Sequence, residues 1–276
     1  MSVAARKIIY IVSLSHSGST ILDMLLTTAK KAVGLGQVWT VLQETPLQSR
    51  ERTCSCGARA TDCEMWGAII ERLGQLPFDA PSRDRYRLVL ERAAELYGPE
   101  IAVIDSSKNA QHLKVMAHEF TDIDVAVLHN IKDVRAFTVS TLDNLKRKGR
   151  RPLLAEKIFY QWYRDNRKSC EVATKLLCRP PVRVMYEGLC LSTDTVVARI
   201  AKSLGEAYID TNIALDHGYT HIIAGNRLRL PEEGKAKQLA YDYRWFVRSE
   251  WLRPYALMRH VRRYNEQCLR ELTNAA

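Results

Sequence analysis

Four times along this chain, a short apolar run ends in polar residues and leads into a stretch with helical spacing. The first run is Lys7–Leu14, in which hydrophobic residues follow one another with little alternation. Such continuity is typical of a strand that is buried on both faces of a parallel sheet. The later runs are Ile101–Ile104, Val125–Leu128 and Val182–Met185. Strands that alternate with helices predict an α/β fold with a central parallel sheet of about five strands, flanked by helices.

A polar cluster follows each of these predicted strands. In open parallel sheets, ligands bind at the carboxyl ends of the strands, so we expect the four clusters to converge on one site. The clusters are Ser15–Thr20, Asp105–Lys108, His129–Asn130 and Tyr186–Glu187.

The cluster Ser15–Thr20 lies between a predicted strand and a predicted helix that begins near Ile21. Backbone N–H groups and hydroxyl side chains at the start of a helix suit a phosphate or sulfate group. A kinase or GTPase would also need a Gly-Lys-Ser/Thr ending for the nucleotide phosphates and Mg²⁺, and that ending is absent. A nucleotide or small-molecule kinase is therefore a disfavoured alternative. Taken alone, the loop is equally well explained as a Ser/Gly turn that caps the helix.

The chain carries 41 Lys and Arg residues against 31 Asp and Glu residues. This surplus favours an anionic partner, although a solvated basic surface explains it equally well. A nucleic-acid-binding protein is the second alternative, and it would need a basic stripe with interleaved aromatic residues. The segment Tyr241–Arg263 is the best candidate for such a stripe, but it fits a helical lid equally well. We therefore expect no nucleic-acid partner.

A single domain over residues 1–276 is expected, because this length suits one large α/β core. No apolar run reaches the roughly 18 residues that span a bilayer, so no membrane partner is expected. The run Ile8–Val12 is too short for the core of a signal peptide and leads directly into a loop. These features predict a cytoplasmic protein.

A segment around 50–81 interrupts the alternation of strands and helices and is predicted to be an inserted cap. It contains Cys54, Cys56 and Cys63, which are three of the seven cysteines. Three interpretations stay open. The thiols bind zinc, for which no fourth ligand is evident nearby; or they form a disulfide such as Cys54–Cys63, which needs an oxidising setting; or they are buried structural thiols.

Four stretches, in chain order, resemble motifs of the sulfotransferases that use 3′-phosphoadenosine-5′-phosphosulfate (PAPS), particularly their bacterial and Golgi-like branch. They are Ser15–Leu22, His129–Ser140, Met185–Leu189 and His221–Arg229. The first is similar to the family's 5′-phosphosulfate loop and the second to its 3′-phosphate motif. The third is similar to a Tyr-Glu-Asp-Leu segment and the fourth to a Gly-Asn-Arg-x-Arg stretch. The resemblance extends over nearly the whole chain, and the cysteine pattern of residues 54–66 also recurs in bacterial members.

The resemblance implies a P-loop nucleotide-kinase-like fold with a helical lid, and an enzyme that moves the sulfonate group of PAPS to a hydroxyl or amine. The acceptor is expected to be a small molecule such as a natural product, and the other product is 3′-phosphoadenosine-5′-phosphate (PAP). No metal is expected, because a sulfonate carries less charge than a phosphoryl group. The residues assigned to cofactor binding are Ser15, His16, Ser17, Gly18, Ser19, Thr20, Lys132, Ser140, Tyr186, Asn226, Arg227 and Arg229.

The chain departs from the family at two expected catalytic positions. His16 stands where the loop usually has Arg or Lys, and Gln37 stands where members often have a glutamate that acts as base. An amide cannot accept the proton, so the base is expected to be Asp105 or His16, with Glu44 as a more distant candidate. Lys108 resembles a family lysine near the sulfonate.

These catalytic candidates have alternative roles that the sequence leaves open. His16 acts as a cation at the leaving oxygen, as the base, or as a bystander that packs beside the loop while Lys108 supplies the charge. The cation role is the preferred expectation. Asp105 is alternatively a cap of the helix that follows it, and Lys108 a surface lysine.

Overall fold

The computed structural model describes residues 4–44, 46–77, 79–212, 215, 219–230 and 239–270. At its centre lies one sheet of five parallel strands in the order β2-β3-β1-β4-β5. The strands are β1 (Lys7–Ser13), β2 (Ala32–Gly34), β3 (Ala102–Lys108), β4 (Asp124–Ile131) and β5 (Val182–Met185). This parallel sheet confirms the predicted α/β fold class.

Helices connect the strands and pack against the sheet. In chain order they are α1 (Ser19–Leu25), α2 (Val38–Gln43), α3 (Pro46–Arg50), α4 (Trp66–Gln75), α5 (Ser82–Tyr97), α6 (Ala110–Glu119), α7 (Val134–Arg147), α8 (Ala155–Leu177), α9 (Tyr186–Leu191), α10 (Thr193–Leu204), α11 (Leu252–Leu257) and α12 (Arg259–Arg270). Two 3-10 helices, Arg227–Arg229 and Arg244–Val247, lie in the C-terminal part. Within the described residues, no helix is both long enough and apolar enough to cross a membrane.

Strand β1 lies in the middle of the sheet, and its side chains alternate between two hydrophobic cores. Ile8, Tyr10 and Val12 enter the core that includes residues of α4, α5 and α6. Ile9 and Ile11 enter the core on the opposite face, which includes residues of α1 and α10. All five side chains are fully buried, and full burial of an aliphatic side chain contributes about 1.5–3 kcal/mol. Because β1 is covered on both faces, its sequence shows no alternation of apolar and polar residues.

Strand β3 is longer than the sequence predicts, because it continues through the polar cluster Asp105–Lys108. It pairs with β1 through Asp105 and, after an irregularity in the register, through Lys108. A buried carboxylate is tolerated at this position because Asp105 accepts hydrogen bonds from the Ser107 backbone N–H at 2.8 Å and from the Tyr86 hydroxyl at 3.0 Å. Strand β4 also extends beyond its predicted end, to Ile131.

The segment around 50–81 is anchored to the main core by α4. Thr53 and Arg59 form an isolated antiparallel bridge, and α4 follows a short irregular stretch. Trp66, Ile69 and Ile70 of α4 are buried in the same core as the inner side chains of β1 and α5. The cysteines of this segment therefore lie against the body of the fold.

Candidate functional site

A cleft of about 500 Å³ lies at the carboxyl edge of the sheet. Its walls include residues that follow β1, β4 and β5, which is where open parallel sheets bind ligands. Six of the residues that the sequence assigns to cofactor binding line it: His16, Gly18, Lys132, Ser140, Tyr186 and Asn226. These residues come from distant parts of the chain, and the fold brings them together.

Gly18, in the loop after β1, is required both by its conformation and by its surroundings. Its φ is +88°, in the left-handed region that favours glycine. A Cβ atom at this position would lie 2.7 Å from Cδ2 of Tyr186. The same loop is held from β4, because Nδ2 of Asn130 donates a hydrogen bond of 2.7 Å to the Ser17 carbonyl oxygen. The loop and the Tyr186 ring thus form one wall of the cleft.

The other predicted loop residues differ in exposure. Ser15 is exposed to solvent, whereas Ser17, Ser19 and Thr20 are buried. Among the described residues, the hydroxyl of Ser17 has no hydrogen-bond partner. Buried hydroxyl groups are usually hydrogen-bonded, so the Ser17 hydroxyl is still able to donate and to accept a hydrogen bond.

His16 lies in the cleft with an unusual backbone conformation and an uncharged imidazole. Its φ is +73°, which is uncommon for a residue with a Cβ atom. Burial and nearby positive charges lower its pKa to about 4. The charged residues responsible are, in order of effect, Lys108, Lys148, Arg147 and Lys132. This lowered pKa favours the neutral imidazole while no anion is bound, and the cation role of His16 stays a prediction. A bound anion would offset this positive potential and raise the pKa.

A carboxylate occupies the centre of the predicted 3′-phosphate motif. Nζ of Lys132 donates to Oδ2 of Asp242 at 2.8 Å and to Oγ of Ser140 at 3.2 Å. Oγ of Ser140 in turn donates to Oδ2 of Asp242 at 3.3 Å. Arg244 donates to both oxygens of the same carboxylate, from Nη2 at 2.8 Å and from Nε at 2.7 Å. Three side chains thus direct their donors at one anionic group.

The environment of Asp242 favours its charged form. Burial alone would raise the pKa of this carboxyl, but hydrogen bonds from Arg244 and Lys132 hold it well below its usual range. The side chain of Lys132 is only 5% exposed, and its Nζ lies 4.6 Å from the centre of the Tyr186 ring. A desolvated ammonium above an aromatic face binds anions more strongly than one in water.

Sequence reasoning missed four charged residues that line the cleft. They are Asp143, Arg147, Asp242 and Arg244. Arg147 lies seven positions after Ser140 on α7, a spacing that places both on one helix face and that was readable from the sequence. Asp242 and Arg244 had no such local signal, because they reach the cleft from the C-terminal part of the chain.

Besides Ser15, Ser17, Ser19 and Thr20 of the loop, two further predicted cofactor-binding residues are not among those that line the cleft. Arg227 is exposed on the 3-10 helix that follows Asn226. Arg229 points toward the cysteine segment, where its Nη1 donates a hydrogen bond of 2.8 Å to the Thr53 carbonyl oxygen. Their cofactor roles stay predictions.

Three residues named as catalytic candidates are engaged elsewhere. Asp105 is fully buried, and burial raises its pKa to about 7 although Ser107 and Tyr86 donate hydrogen bonds to it. Gln37 precedes α2, and its backbone N–H donates to the Ala224 carbonyl oxygen at 3.2 Å. Glu44 forms an ion pair with Arg52. None of the three lines the cleft.

Lys108 lies beneath the loop after β1, close enough for its charge to act on His16. Its φ is +71°, a second uncommon conformation at this edge of the sheet. Burial lowers its pKa, and the nearby carboxyl of Asp23 opposes that shift. Asp23 was not predicted. It accepts hydrogen bonds from Oγ of Ser106 at 2.7 Å and from the Gly36 backbone N–H at 3.1 Å, and burial raises its pKa to about 8.

The aromatic and basic segment 241–263 packs against α7. Arg135 of α7 lies 4.1 Å from the Trp245 ring centre and 5.0 Å from that of Tyr255. Arg248 pairs with Asp143 at 3.1 Å and with Glu250. Trp245, Tyr255 and Arg248 therefore have partners within the fold, as the lid interpretation expects, whereas Tyr243 and Phe246 are exposed.

Comparisons with known proteins point to one fold. No protein-family model matches the chain, and no curated protein matches it. Among solved structures, it is similar to a sulfotransferase domain from the curacin biosynthetic pathway, with 16% identity and a TM-score of 0.53 over 93% of this chain and 98% of that one. A sulfotransferase domain from the Synechococcus PCC 7002 olefin synthase matches with 15% identity and a TM-score of 0.45, over 93% and 95% of the two chains. A sulfotransferase from Mycobacterium avium matches with 11% identity and a TM-score of 0.44, over 74% and 64%.

The first of these similarities covers almost the whole of both chains and establishes the architecture. The protein has the fold of a sulfotransferase domain, and the predicted resemblance is confirmed at the level of the fold. Because one fold hosts many functions, the activity depends on the chemistry of the residues that line the cleft.

Proposed function

We propose that this protein is a PAPS-dependent sulfotransferase that transfers a sulfonate group to a hydroxyl or amine of a small molecule. The observation that carries the proposal is the cluster of Lys132, Ser140 and Arg244, which directs its donors at a single carboxylate inside the cleft. The loop with His16 and Gly18 lines the same cleft. PAPS carries a 3′-phosphate and a 5′-phosphosulfate, so it needs two anion sites in one cleft, and the sulfotransferase fold supports this assignment.

In this proposal the 3′-phosphate takes the place of the Asp242 carboxylate. It accepts hydrogen bonds from Lys132, Ser140 and Arg244, and a hydrogen bond to a charged group contributes about 1.5–3 kcal/mol. Asp242 has to move away, and its displacement offsets part of that gain. A ligand without a negative charge cannot compete with the carboxylate, so the exchange selects for the 3′-phosphate.

At the other end of the cleft, the acceptor's oxygen or nitrogen attacks the sulfur atom. The new bond to sulfur forms while the bond between sulfur and the 5′-phosphate oxygen breaks. PAP leaves with that electron pair, and the acceptor loses a proton. Donors around the sulfonate and a positive charge near the leaving oxygen stabilise the transition state.

His16 is proposed to take the acceptor's proton. Of the three base candidates it alone lines the cleft, because Asp105 is buried and Glu44 is paired with Arg52. Its lowered pKa keeps the imidazole neutral and able to accept a proton. Lys108, whose charge acts on His16, is proposed to supply the positive charge near the sulfonate.

The experiment supplies the protein with PAPS and a panel of small alcohols, phenols and amines, and it measures PAP and the sulfonated product by mass spectrometry. We expect PAP formation that depends on the acceptor, and melting-temperature stabilisation by PAP even without an acceptor. A parallel assay with ATP and Mg²⁺ tests the kinase alternative. Phosphorylation of the panel, with no stabilisation by PAP, would overturn the proposal.

The acceptor class is inferred from the similar sulfotransferase domain. The similar structure is a domain of a biosynthetic pathway, which is in keeping with a small-molecule acceptor. We therefore propose that the protein tailors a natural product, and the panel should be extended to such compounds once PAP binding is established.

A further inference from the structure

Four potential metal ligands from two distant parts of the chain meet outside the cleft. Cys54, Cys56 and Cys63 belong to the segment around 50–81, and His221 belongs to the loop that leads to Asn226. The ligand atoms of the three cysteines and His221 all lie within 4.8 Å of one another. Cys54, Cys63 and His221 are buried, and Cys56 is exposed. His221 is the fourth ligand that the sequence alone did not reveal.

The distances within this cluster fit a tetrahedral metal site. Sγ of Cys63 lies 3.6 Å from Sγ of Cys54 and 3.3 Å from Nδ1 of His221. Sγ of Cys54 lies 3.9 Å from the same nitrogen. In a zinc tetrahedron, with Zn–S of about 2.3 Å and Zn–N of about 2.0–2.1 Å, ligand atoms are about 3.6–3.8 Å apart. The ligand atoms of Cys54, Cys63 and His221 thus lie close to the spacing that the metal imposes, and that of Cys56 lies within 4.8 Å of each of them.

The second nitrogen of His221 is held in the way expected of a metal ligand. Nε2 lies 2.7 Å from the Tyr97 hydroxyl and 3.3 Å from Oε1 of Glu64. A hydrogen bond donated by Nε2–H leaves the lone pair on Nδ1, the nitrogen that faces the sulfur atoms. Partners of this kind fix the tautomer and orientation of metal-binding histidines.

The backbone around the cysteines supports thiolates. The N–H groups of Cys56, Ala58 and Trp66 lie near the sulfur atoms of Cys54, Cys56 and Cys63, respectively, and favour their thiolate forms. The turn that joins the first two cysteines is closed by a 3.0 Å hydrogen bond from the Gly57 N–H to the Cys54 carbonyl oxygen. Neutral buried thiols have little need of such donors, whereas metal-bound thiolates do.

We propose that Cys54, Cys56, Cys63 and His221 bind one Zn²⁺ as a structural site. Four protein ligands close the coordination sphere, which is the arrangement of structural zinc rather than catalytic zinc. Three thiols lose three protons on binding and His221 coordinates as the neutral imidazole, so the site carries a net charge of −1. This proposal departs from the expectation that the protein holds no metal. A Cys54–Cys63 disulfide would leave Cys56 and His221 without a role.

The site would join the cysteine segment to the loop 219–226. The two are already in contact through hydrogen bonds of Ser55. Its backbone N–H donates to the Ile222 carbonyl oxygen at 3.0 Å, and its Oγ donates to the Thr220 carbonyl oxygen at 2.6 Å. Nε1 of Trp66 donates to the His221 carbonyl oxygen. The loop continues to Asn226 in the wall of the cleft. Zinc would therefore stabilise the wall without touching the cofactor.

The test measures metal content by inductively coupled plasma mass spectrometry on the full chain, purified from a zinc-containing medium with its affinity tag removed. We expect one equivalent of zinc, lost in Cys63→Ser and His221→Ala. His221→Cys should retain it, because a fourth thiolate replaces the imidazole. Cys178→Ser, at an exposed cysteine, is the matched control and should keep full occupancy. Zinc that stays bound in both Cys63→Ser and His221→Ala would overturn the proposal.

A second measurement uses the wild-type protein, so its result does not depend on whether the variants fold. Wild-type protein, stripped of metal with its thiols kept reduced, is titrated with Co²⁺, and we expect the strong visible bands of a tetrahedral thiolate site together with a higher melting temperature. Absence of those bands from reduced protein that binds PAP would overturn the proposal. Detection of a Cys54–Cys63 disulfide by peptide mapping of freshly purified protein would also overturn it, in favour of the oxidised interpretation.

Discussion

At one end of the cleft, Lys132 and Arg244 share the carboxylate of Asp242, whereas at the other end the charge of Lys108 acts on the imidazole of His16. The first end is an ion cluster in which the carboxylate of Asp242 offsets part of the positive charge of Lys132 and Arg244. At the second end, burial and then the positive charges of Lys108, Lys148, Arg147 and Lys132 lower the pKa of His16 to about 4.

This difference indicates that the Asp242 end and the His16 end have different roles in binding and catalysis. A ligand that reaches the Asp242 end replaces an existing anion, which offsets part of its gain in charge interaction, and the end therefore acts in binding and selecting the 3′-phosphate. An anion at the His16 end enters a positive electrostatic field that is not yet neutralised. Such a preorganised field is most effective where charge develops during a reaction. Substitutions at the two ends should therefore separate binding from turnover.

The largest effect is expected from His16→Ala, which removes the proposed base. Loss of a general base costs about 10²–10⁴ in rate, so kcat should fall by about that factor while the Kd for PAP changes little. His16→Arg should be equally inactive, since a guanidinium cannot accept the proton. The rate of PAP formation from PAPS, with the acceptor or with water as acceptor, is the measurement.

The pH profile sharpens the same prediction. Because the pKa of free His16 is lowered to about 4, kcat/KM should fall only as the pH drops through that value, when the imidazole becomes protonated. The fall in kcat should come at higher pH, since the bound anion raises the pKa in the complex. Retained activity in His16→Arg would restore the cation role. Near-normal turnover in His16→Ala, with Lys108→Ala inactive, would make His16 a bystander.

The next effect is expected at the opposite end, in Lys132→Ala. The loss of one hydrogen bond to a charged group should weaken PAP binding by about 1.5–3 kcal/mol. Calorimetric titration with PAP checks this, and Lys146→Ala, at an exposed lysine of α7, is the matched control. If both variants bind PAP like the wild type, Lys132 is not a ligand of the 3′-phosphate.

A smaller effect of opposite sign is expected from Asp242→Asn. Removing the internal anion frees Lys132, Ser140 and Arg244, so PAP should bind more tightly, by about 1 kcal/mol or roughly fivefold. The melting temperature of the protein without PAP should fall, because the buried ammonium of Lys132 loses its counterion. Weaker PAP binding in this variant would show that Asp242 belongs to the ligand site itself.

The smallest effect is expected from Mg²⁺. Lys132, Arg147 and Arg244 line the cleft and supply its positive charge, so turnover should be the same with and without added magnesium. Omission of magnesium is a better test than chelation, because a chelator also removes zinc. A strict requirement for Mg²⁺ would revive the kinase-like alternative.

The parts of the fold that depend on local sequence were predictable. The run that forms β1 and the small-residue loop after it follow each other directly in the sequence. The spacing between Lys132 and Ser140, around the start of α7, is also local. The prediction that Asp105–Lys108 follows a strand was wrong, since β3 runs through it. The carboxylate of Asp105 accepts a hydrogen bond from the hydroxyl of Tyr86, a residue of α5. The residues around Asp105 in the sequence do not predict that partner.

The parts of the site that depend on tertiary contacts were not predictable. Asp242 meets Lys132 from 110 positions away in the chain, and His221 meets Cys63 from 158 positions away. The neutral state of His16 also arises from packing, because burial and charges from several elements combine to lower its pKa. A single sequence gives residue types and spacings, and it does not give these distances.

The central claim is that the cleft recognises the 3′-phosphate through the Lys132 cluster, and a thermodynamic cycle tests it directly. The Kd values of PAP and AMP are measured by calorimetry on the wild type and on Lys132→Ala. The account predicts that the wild type binds PAP at least about tenfold more tightly than AMP, or about 1.4 kcal/mol, and that this preference largely disappears in Lys132→Ala. Equal affinity for PAP and AMP in the wild type, or an unchanged preference in the variant, would contradict it.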